Sequence, residues 1–255
     1  MLRNSPSTFL RRFDGVDALR GFAMVWMTAF HFCFDLNQFA YVRQDFYRDP
    51  FWTWQRSLIV SLFLFCAGLG QAIAVAQGQD WPRFWRRWMQ VLGCALLVTV
   101  GSRLMYPQGF IYFGVLHGIA LMLLVVRLSA HWGAWLWWLG AAAIVARFGA
   151  VHALQVNELS ALSEILNGPQ FNWMGLITRK PITEDYVPLL PWLGVMWWGV
   201  AAGSWLSRWH VDRLSRPLPV ALKPLAALGR WSLSYYMLHQ PVMIASLMLV
   251  GWALK

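Results

Sequence analysis

Asp14, Asp17 and Arg20 stand at the start of the first long apolar run of this chain, and His31 and Asp35 stand in its second half. Residues four apart stack on one face of a helix, so Asp35 can reach the His31 imidazole, fix its tautomer and stabilise its protonated form. A histidine held in that way is what general-base chemistry uses. A buried polar pair that only orients helices accounts for the same spacing equally well. Each ionisable group in a lipid-spanning helix costs about 2.5–3.5 kcal/mol on insertion scales, so each one calls for a compensating role.

Two further histidines fall in apolar runs. His117 sits between Gly114 and Gly118, where a backbone or a ligand can come close. His239 precedes Pro241, which frees a carbonyl one turn earlier and is expected to bend the helix. A structural hydrogen bond competes with a chemical role at both positions. Asp14, Asp17 and Arg20 could form only a cytoplasmic salt-bridge cluster, or together with Arg83, Arg86, Arg87 and Arg230 could hold an anionic, phosphate-bearing ligand through guanidinium forks; most of these arginines could equally serve lipid headgroups and orientation. No glycine-rich phosphate loop and no metal-ligand cluster accompanies them. Cys33, Cys66 and Cys94 are odd in number, fit no metal template and read as small buried apolar residues.

These groups need a scaffold, and composition says which. Of the 255 residues, 58% are hydrophobic and 13% charged, too few charges to coat a water-facing surface. Runs of roughly 20 apolar residues mark spanning helices. They fall at Val16–Asn37, Trp54–Ala76, Trp88–Tyr106, Gly109–Leu128, Trp132–Ala150, Val187–Ser207 and Trp231–Leu254. The expected fold is therefore an all-α polytopic membrane bundle of about seven transmembrane helices, forming one domain over residues 1–255. Pro107-Gln108-Gly109 is expected to turn tightly between the third and fourth spans.

The net charge of +10 is distributed as membrane topology requires, not as nucleic-acid binding would require. Arg3, Arg11 and Arg12, then Arg83, Arg86 and Arg87, then Arg127, then Arg208, Arg213, Arg216, Lys223 and Arg230 fall on one side if every span crosses once. On the other side Arg43, Arg48, Arg179 and Lys180 are offset by Asp45, Asp49, Glu158, Glu164, Glu184 and Asp185. That places the N-terminus in the cytoplasm and Lys255 in the periplasm. Arg11 and Arg12 before an apolar run imitate a signal peptide, but the run is too long and lacks a cleavage site. Trp52, Trp54, Trp81, Trp85, Trp132 and Trp231 read as interfacial anchors. Val151–Tyr186 is the longest extramembrane stretch, with a short amphipathic helix expected at Val156–Leu166.

The motifs also carry a resemblance. Asp17-Ala18-Leu19-Arg20-Gly21 followed by His31-Phe32-Cys33-Phe34-Asp35-Leu36 resembles the first helix of the heparan-alpha-glucosaminide N-acetyltransferase catalytic-domain family. The Arg20–His31 interval is similar to a pattern of the wider transmembrane acyltransferase group. Leu62-Phe63-Leu64-Phe65, Gly114-Val115-Leu116-His117, the Tyr186–Gly194 stretch and Ser232–Pro241 follow in the family's order. The resemblance implies transfer of an acetyl group from cytoplasmic acetyl-CoA to an acceptor across the membrane, with acetyl-CoA as co-substrate and no permanently bound cofactor. It implies His31 as the catalytic histidine, oriented by Asp35. Arg20, Asp17, Arg86, Arg87, Arg230 and His239 would serve the acyl donor. His117, Tyr186, Pro191 and Trp192 would shape the acceptor side, for a periplasmic glycan or amino sugar. The chain departs from the lysosomal member, whose histidine lies beyond the first helix, because Tyr41–Trp54 here contains none.

Two other classes compete. Intramembrane His and Asp also build proton relays in transporters, although no inverted repeat or paired broken helix is evident. A non-catalytic membrane subunit is the other. A retinal photoreceptor is excluded, since no lysine lies mid-span in the last helix. Short cytoplasmic loops and no organelle signal suggest a bacterial inner membrane.

Overall fold

Helices account for nearly all regular structure in the computed structural model, which describes residues 12–156 and 159–253. In chain order they are α1 (Asp14–Gln38), α2 (Pro50–Ala76), α3 (Trp81–Met105), α4 (Val115–Ser129), α5 (Trp135–Val156), α6 (Ser160–Asn167), α7 (Trp192–Trp209), α8 (Val211–Leu214), α9 (Lys223–Arg230) and α10 (Ser232–Ala253). No strand occurs among the described residues; Phe113 and Tyr186 form one isolated parallel bridge. Arg3, Arg11, Glu158 and Lys255, used above for orientation, lie outside the described residues.

Local chemistry explains the boundaries. The Asp49 carboxylate accepts the Phe51 N–H at 2.8 Å and Pro50 opens α2. Asp80 accepts the Arg83 N–H at 3.0 Å with Pro82 behind it, so α3 begins seven residues before the expected span. The fourth helix starts at Val115, not Gly109. Its first free N–H is satisfied across the fold, by Asp185 Oδ2 at 2.7 Å; the expected turn at Pro107-Gln108-Gly109 forms, with the Gly109 N–H donating to the Tyr106 carbonyl at 3.1 Å, and the connection then continues to Gly114. Likewise α7 starts only at Trp192, after Pro188 and Pro191. The expected amphipathic segment is α6, joined to the following loop by an Arg179–Glu164 ion pair at 2.6 Å. The last helix, α10, runs through Pro241 without interruption.

Five helices, α2, α3, α4 with its 3-10 extension to Trp132, α5 and α10, are long and apolar enough to cross a membrane. Their outward residues match that solvent: Leu104 is 80% exposed, Val145 68% and Trp252 78%. The first and seventh helices are absent from that set. The sequence explains why, since α1 carries Asp14, Asp17, Arg20, His31 and Asp35, and α7 is only 18 residues long and ends in Arg208 and Trp209.

The centre is α2 against α7. Gly199 faces the Phe65 backbone, Gly68 the Met196 carbonyl, and Gly203 the Leu69 carbonyl, so the pair runs parallel with backbones in contact. Gly140 of α5 meets Gly194 and Trp198 of α7 in the antiparallel sense. Leu64, Met122, Val126, Leu136, Met196 and Val200 fill the space between α2, α4, α5 and α7. At the other flank α9 lies on α1, with Gly21 against Leu225 and Gly229 against Asp17.

Candidate functional site

Asp17, Arg20, Met24, Thr28, His31 and Asp35 follow one another at spacings of three and four, so they form one stripe along α1. Arg20 and His31, eleven residues apart, are three turns and roughly 16 Å distant on the same face. Two ends of the stripe are buried: Asp17 is 7% exposed and Asp35 3%. The residues facing its second half come from α10. Thr28 Oγ1 donates to the Met24 carbonyl at 2.8 Å and shares a 2.7 Å hydrogen bond with the Tyr235 hydroxyl.

His31 is hydrogen-bonded to His239, with Nδ1 and Nε2 2.8 Å apart and the rings near parallel at 5.1 Å between centroids. His239 Nδ1 lies 2.7 Å from the Tyr236 carbonyl, an atom that can only accept. That contact fixes the tautomers of the neutral rings. His239 carries its proton on Nδ1, its Nε2 accepts from the His31 Nδ1–H, and His31 Nε2 keeps its lone pair. Tyr235 stacks on the far face of the pair, its ring 5.9 Å from His239 and 8° from parallel.

The expected pairing of Asp35 with His31 is corrected here. Asp35 Oδ1 accepts from Gln240 Nε2 at 2.7 Å, and the partner that orients His31 is His239. The i, i+4 spacing permits the His31–Asp35 contact, but α10 brings a closer partner to each residue.

Beneath the histidine pair lies a cavity of about 730 Å³. Its polar end is formed by Arg12, Asp17, Arg20, Arg83, Arg87 and Arg230, with Gln71, Gln77, Gln79 and Gln90. Arg20 Nη1 holds Asp17 Oδ1 at 2.8 Å, and Arg230 binds Asp14 at 2.6 Å while its Nε lies 3.8 Å from Asp17 Oδ2. Gly70 leaves room for Arg20, because a Cβ there would stand 3.3 Å from its guanidinium. Its apolar walls are Met24, Phe63, Leu116, Ile119 and Leu233, and Tyr236 also lines it. The Tyr236 ring is 5.7 Å from that of His239, so the apolar end stops one side chain short of the histidines.

Of the residues expected to serve a donor, Asp17, Arg20, Arg87 and Arg230 line this cavity, whereas Arg86 does not. His239 is not part of its lining and is instead bonded to His31. On the opposite side, His117 is tied to its own hairpin, Nε2 3.0 Å from Thr99 Oγ1 and Nδ1 accepting the Gly114 N–H at 3.3 Å. The Tyr186 hydroxyl donates to the Asn172 carbonyl at 2.6 Å. Pro191 precedes α7, and Trp192 packs on the α2–α7 core. These four stand around the 106–114 connection and the start of α7.

The same end of the bundle carries a polar cluster. Lys180 Nζ lies 5.2 Å over the Tyr47 ring, and the Tyr47 hydroxyl is 3.5 Å from Glu184. Burial, then the charges of Asp35 and Glu184, raise the Tyr106 phenol above its usual pKa. The Phe34 ring, next to Asp35 in sequence, meets the Tyr47 ring at 6.2 Å, so the C-terminal end of α1 lies at this cluster. No group of three or more His, Cys, Asp or Glu able to hold a metal occurs among the described residues.

Sequence spacing exposed His31, Asp35 and the arginines. It missed Thr28, Tyr235, Tyr236 and Gln240, and the partnership of His239, because these depend on how α10 sits against α1. The available signal was the stripe itself, which a search for ionisable residues alone does not trace through Met24 and Thr28.

Residues 12–241 fit the model of the family described as heparan-alpha-glucosaminide N-acetyltransferase, catalytic. No curated protein and no solved structure matches the chain.

Proposed function

Because this chain belongs to the heparan-alpha-glucosaminide N-acetyltransferase catalytic-domain family, we propose that it moves an acetyl group from cytoplasmic acetyl-CoA to an amino or hydroxyl group of an envelope glycan on the far side of the membrane. The observation that carries this reading is the unprotonated His31 Nε2, set by the His239–Tyr236 relay beyond the apolar end of an arginine-rimmed cavity.

The cavity suits the donor. Arg12, Arg20, Arg83, Arg87 and Arg230 meet the nucleotide phosphates, where charge-assisted hydrogen bonds are strongest, and the apolar walls take the pantetheine arm. Arg86 would serve topology or lipid instead. The thioester then lies beside Tyr236. His31 Nε2 removes a proton from the acceptor's N–H or O–H as its lone pair attacks the acetyl carbonyl. The carbon–sulfur bond breaks, and the leaving thiolate takes that proton from His31, so that CoA departs as the thiol. His239 shares the positive charge that His31 bears meanwhile, and its own bond to the Tyr236 carbonyl keeps the rings aligned.

In this reading α1 and α7 cross the membrane with the five apolar helices, giving seven spans. The parallel α2–α7 pair and the antiparallel α5–α7 pair support one crossing per helix. Arg12, Arg83, Arg86, Arg87, Arg127, Arg208, Arg216, Lys223 and Arg230 then share one end, which the positive-inside bias assigns to the cytoplasm. The C-terminus would face the periplasm of a bacterial inner membrane. Mass spectrometry of envelope glycans from cells with and without the protein tests the proposal. The expected result is loss of roughly 42 mass units per modified sugar, the mass an acetyl transfer adds, with no rescue by His31→Ala. Unchanged glycans on deletion would refute it.

A further inference from the structure

Asp35 has no part in the histidine relay, yet it is among the most buried charged residues of the chain, at 3% exposure. Among the described residues its carboxylate is hydrogen-bonded to Gln240, and two oxygens of this pair, Asp35 Oδ2 and Gln240 Oε1, are buried without a hydrogen-bond partner. Burying an acceptor oxygen unpaired is costly, and burying a carboxylate against only a neutral amide more so. No cationic side chain forms an ion pair with Asp35 among the described residues. The cost falls one turn beyond His31 on α1, at Asp35, and one residue beyond His239 on α10, at Gln240.

The position is informative. The donor cavity approaches the histidines from the arginine end and stops at Tyr236. Asp35 lies one turn beyond His31, next to Phe34, whose ring meets that of Tyr47 at 6.2 Å, and Tyr47 in turn reaches Glu184 at the opposite end. We infer that Asp35 and Gln240 form the acceptor subsite, a pair of hydrogen-bond-accepting oxygens that hold the N–H or O–H groups of the acceptor beside His31 Nε2. This rests on the acyltransferase reading and adds to it the residues that choose the acceptor. A site whose two unpaired atoms are both accepting oxygens, one of them charged, takes ammonium, amine or hydroxyl groups and disfavours carboxylate or phosphate at the reacting position.

Purified full-length protein in nanodiscs provides the test, with acetyl-CoA, glucosamine and methyl glucoside as probes measured separately by calorimetry. Glucosamine presents an amine and hydroxyls; methyl glucoside presents hydroxyls alone, so the two arms separate the sources of the donor group. The wild type is expected to bind at least one sugar. Asp35→Asn and Gln240→Leu should weaken that sugar by about tenfold or more, the loss expected when a hydrogen bond to a charged group goes, with acetyl-CoA binding unchanged. Loss of the glucosamine signal alone assigns the site to the amine; equal loss of both assigns it to hydroxyls. Variants that bind the sugar as the wild type does would overturn the subsite, and so would a wild type that binds acetyl-CoA but neither sugar. A wild type that does not bind acetyl-CoA overturns the acyltransferase reading instead.

Discussion

Replacing Gly229 with alanine should loosen the arginine end of the cavity without removing any side chain that lines it. Gly229 of α9 lies directly on α1: a Cβ there would overlap the Asp17 carbonyl, with the carbonyl carbon at 2.7 Å and Gly21 N at 3.0 Å. Ordinary contact begins at 3.4 Å, so α9 must retreat by well over 0.7 Å (3.4 minus 2.7, for the carbonyl carbon alone), and all three near atoms are backbone that cannot rotate away. Arg230 is the next residue. Its Nε–Asp17 distance, already 3.8 Å, would pass the range of an ion pair, and its 2.6 Å bond to Asp14 would stretch. Overpacking of this kind costs about 1–3 kcal/mol. Gly93→Ala is the matched control. It is also inside a helix but has nothing within 4 Å, so it should stabilise by about 0.5–1 kcal/mol through helix propensity alone. Thermal unfolding in detergent, followed by acetyl-CoA titration of the folded protein, reads both effects. Gly229→Ala should melt lower and bind acetyl-CoA more weakly, while Gly93→Ala should melt no lower and bind normally. Equal melting temperatures for the two variants would refute the packing argument.

His31→Ala should lower acetyl transfer by about 10²–10⁴-fold, the usual worth of a general base, with acetyl-CoA affinity intact by titration. Arg87→Gln should weaken acetyl-CoA by about tenfold or more, and the deficit should shrink at high salt, because it removes a cationic group from the cavity. Burial raises the Asp185 carboxyl above its usual range, outweighing the Val115 N–H bond and the Lys180 and Arg56 charges that lower it. The folded state therefore holds this proton more tightly than the unfolded chain. Its contribution is complete below the ordinary carboxylate pKa of about 3.9 and is lost as pH rises through the raised value. Asp185→Asn should accordingly flatten the fall in melting temperature as pH rises from the carboxylate range, measured by unfolding scans across pH.

Much of this architecture could be read from the chain. Spans were legible because lipid demands long apolar runs, and α2, α5 and α10 fall near where composition put them. Their ends were less legible. Asp49 and Asp80 are local caps that sequence displays, but α4 begins where it does because Asp185 reaches it from 70 residues away. The site divides in the same way. His31 and Arg20 share a face by helical arithmetic alone. Whether His31 meets Asp35 or His239 depends on the approach of α10, more than 200 residues downstream, and spacing within α1 carries no trace of it. His117 shows the converse: its glycine neighbours drew attention to it, yet its ring closes its own hairpin through Thr99.

Vectorial transfer is the central claim, and labelled acetyl-CoA supplied to only one face of oriented proteoliposomes measures it. With the arginine-rich face exposed to the donor and glucosamine trapped in the lumen, label should appear on luminal sugar for the wild type and be absent for His31→Ala. Label that stays on CoA, or that reaches the sugar equally well in His31→Ala, would contradict the account.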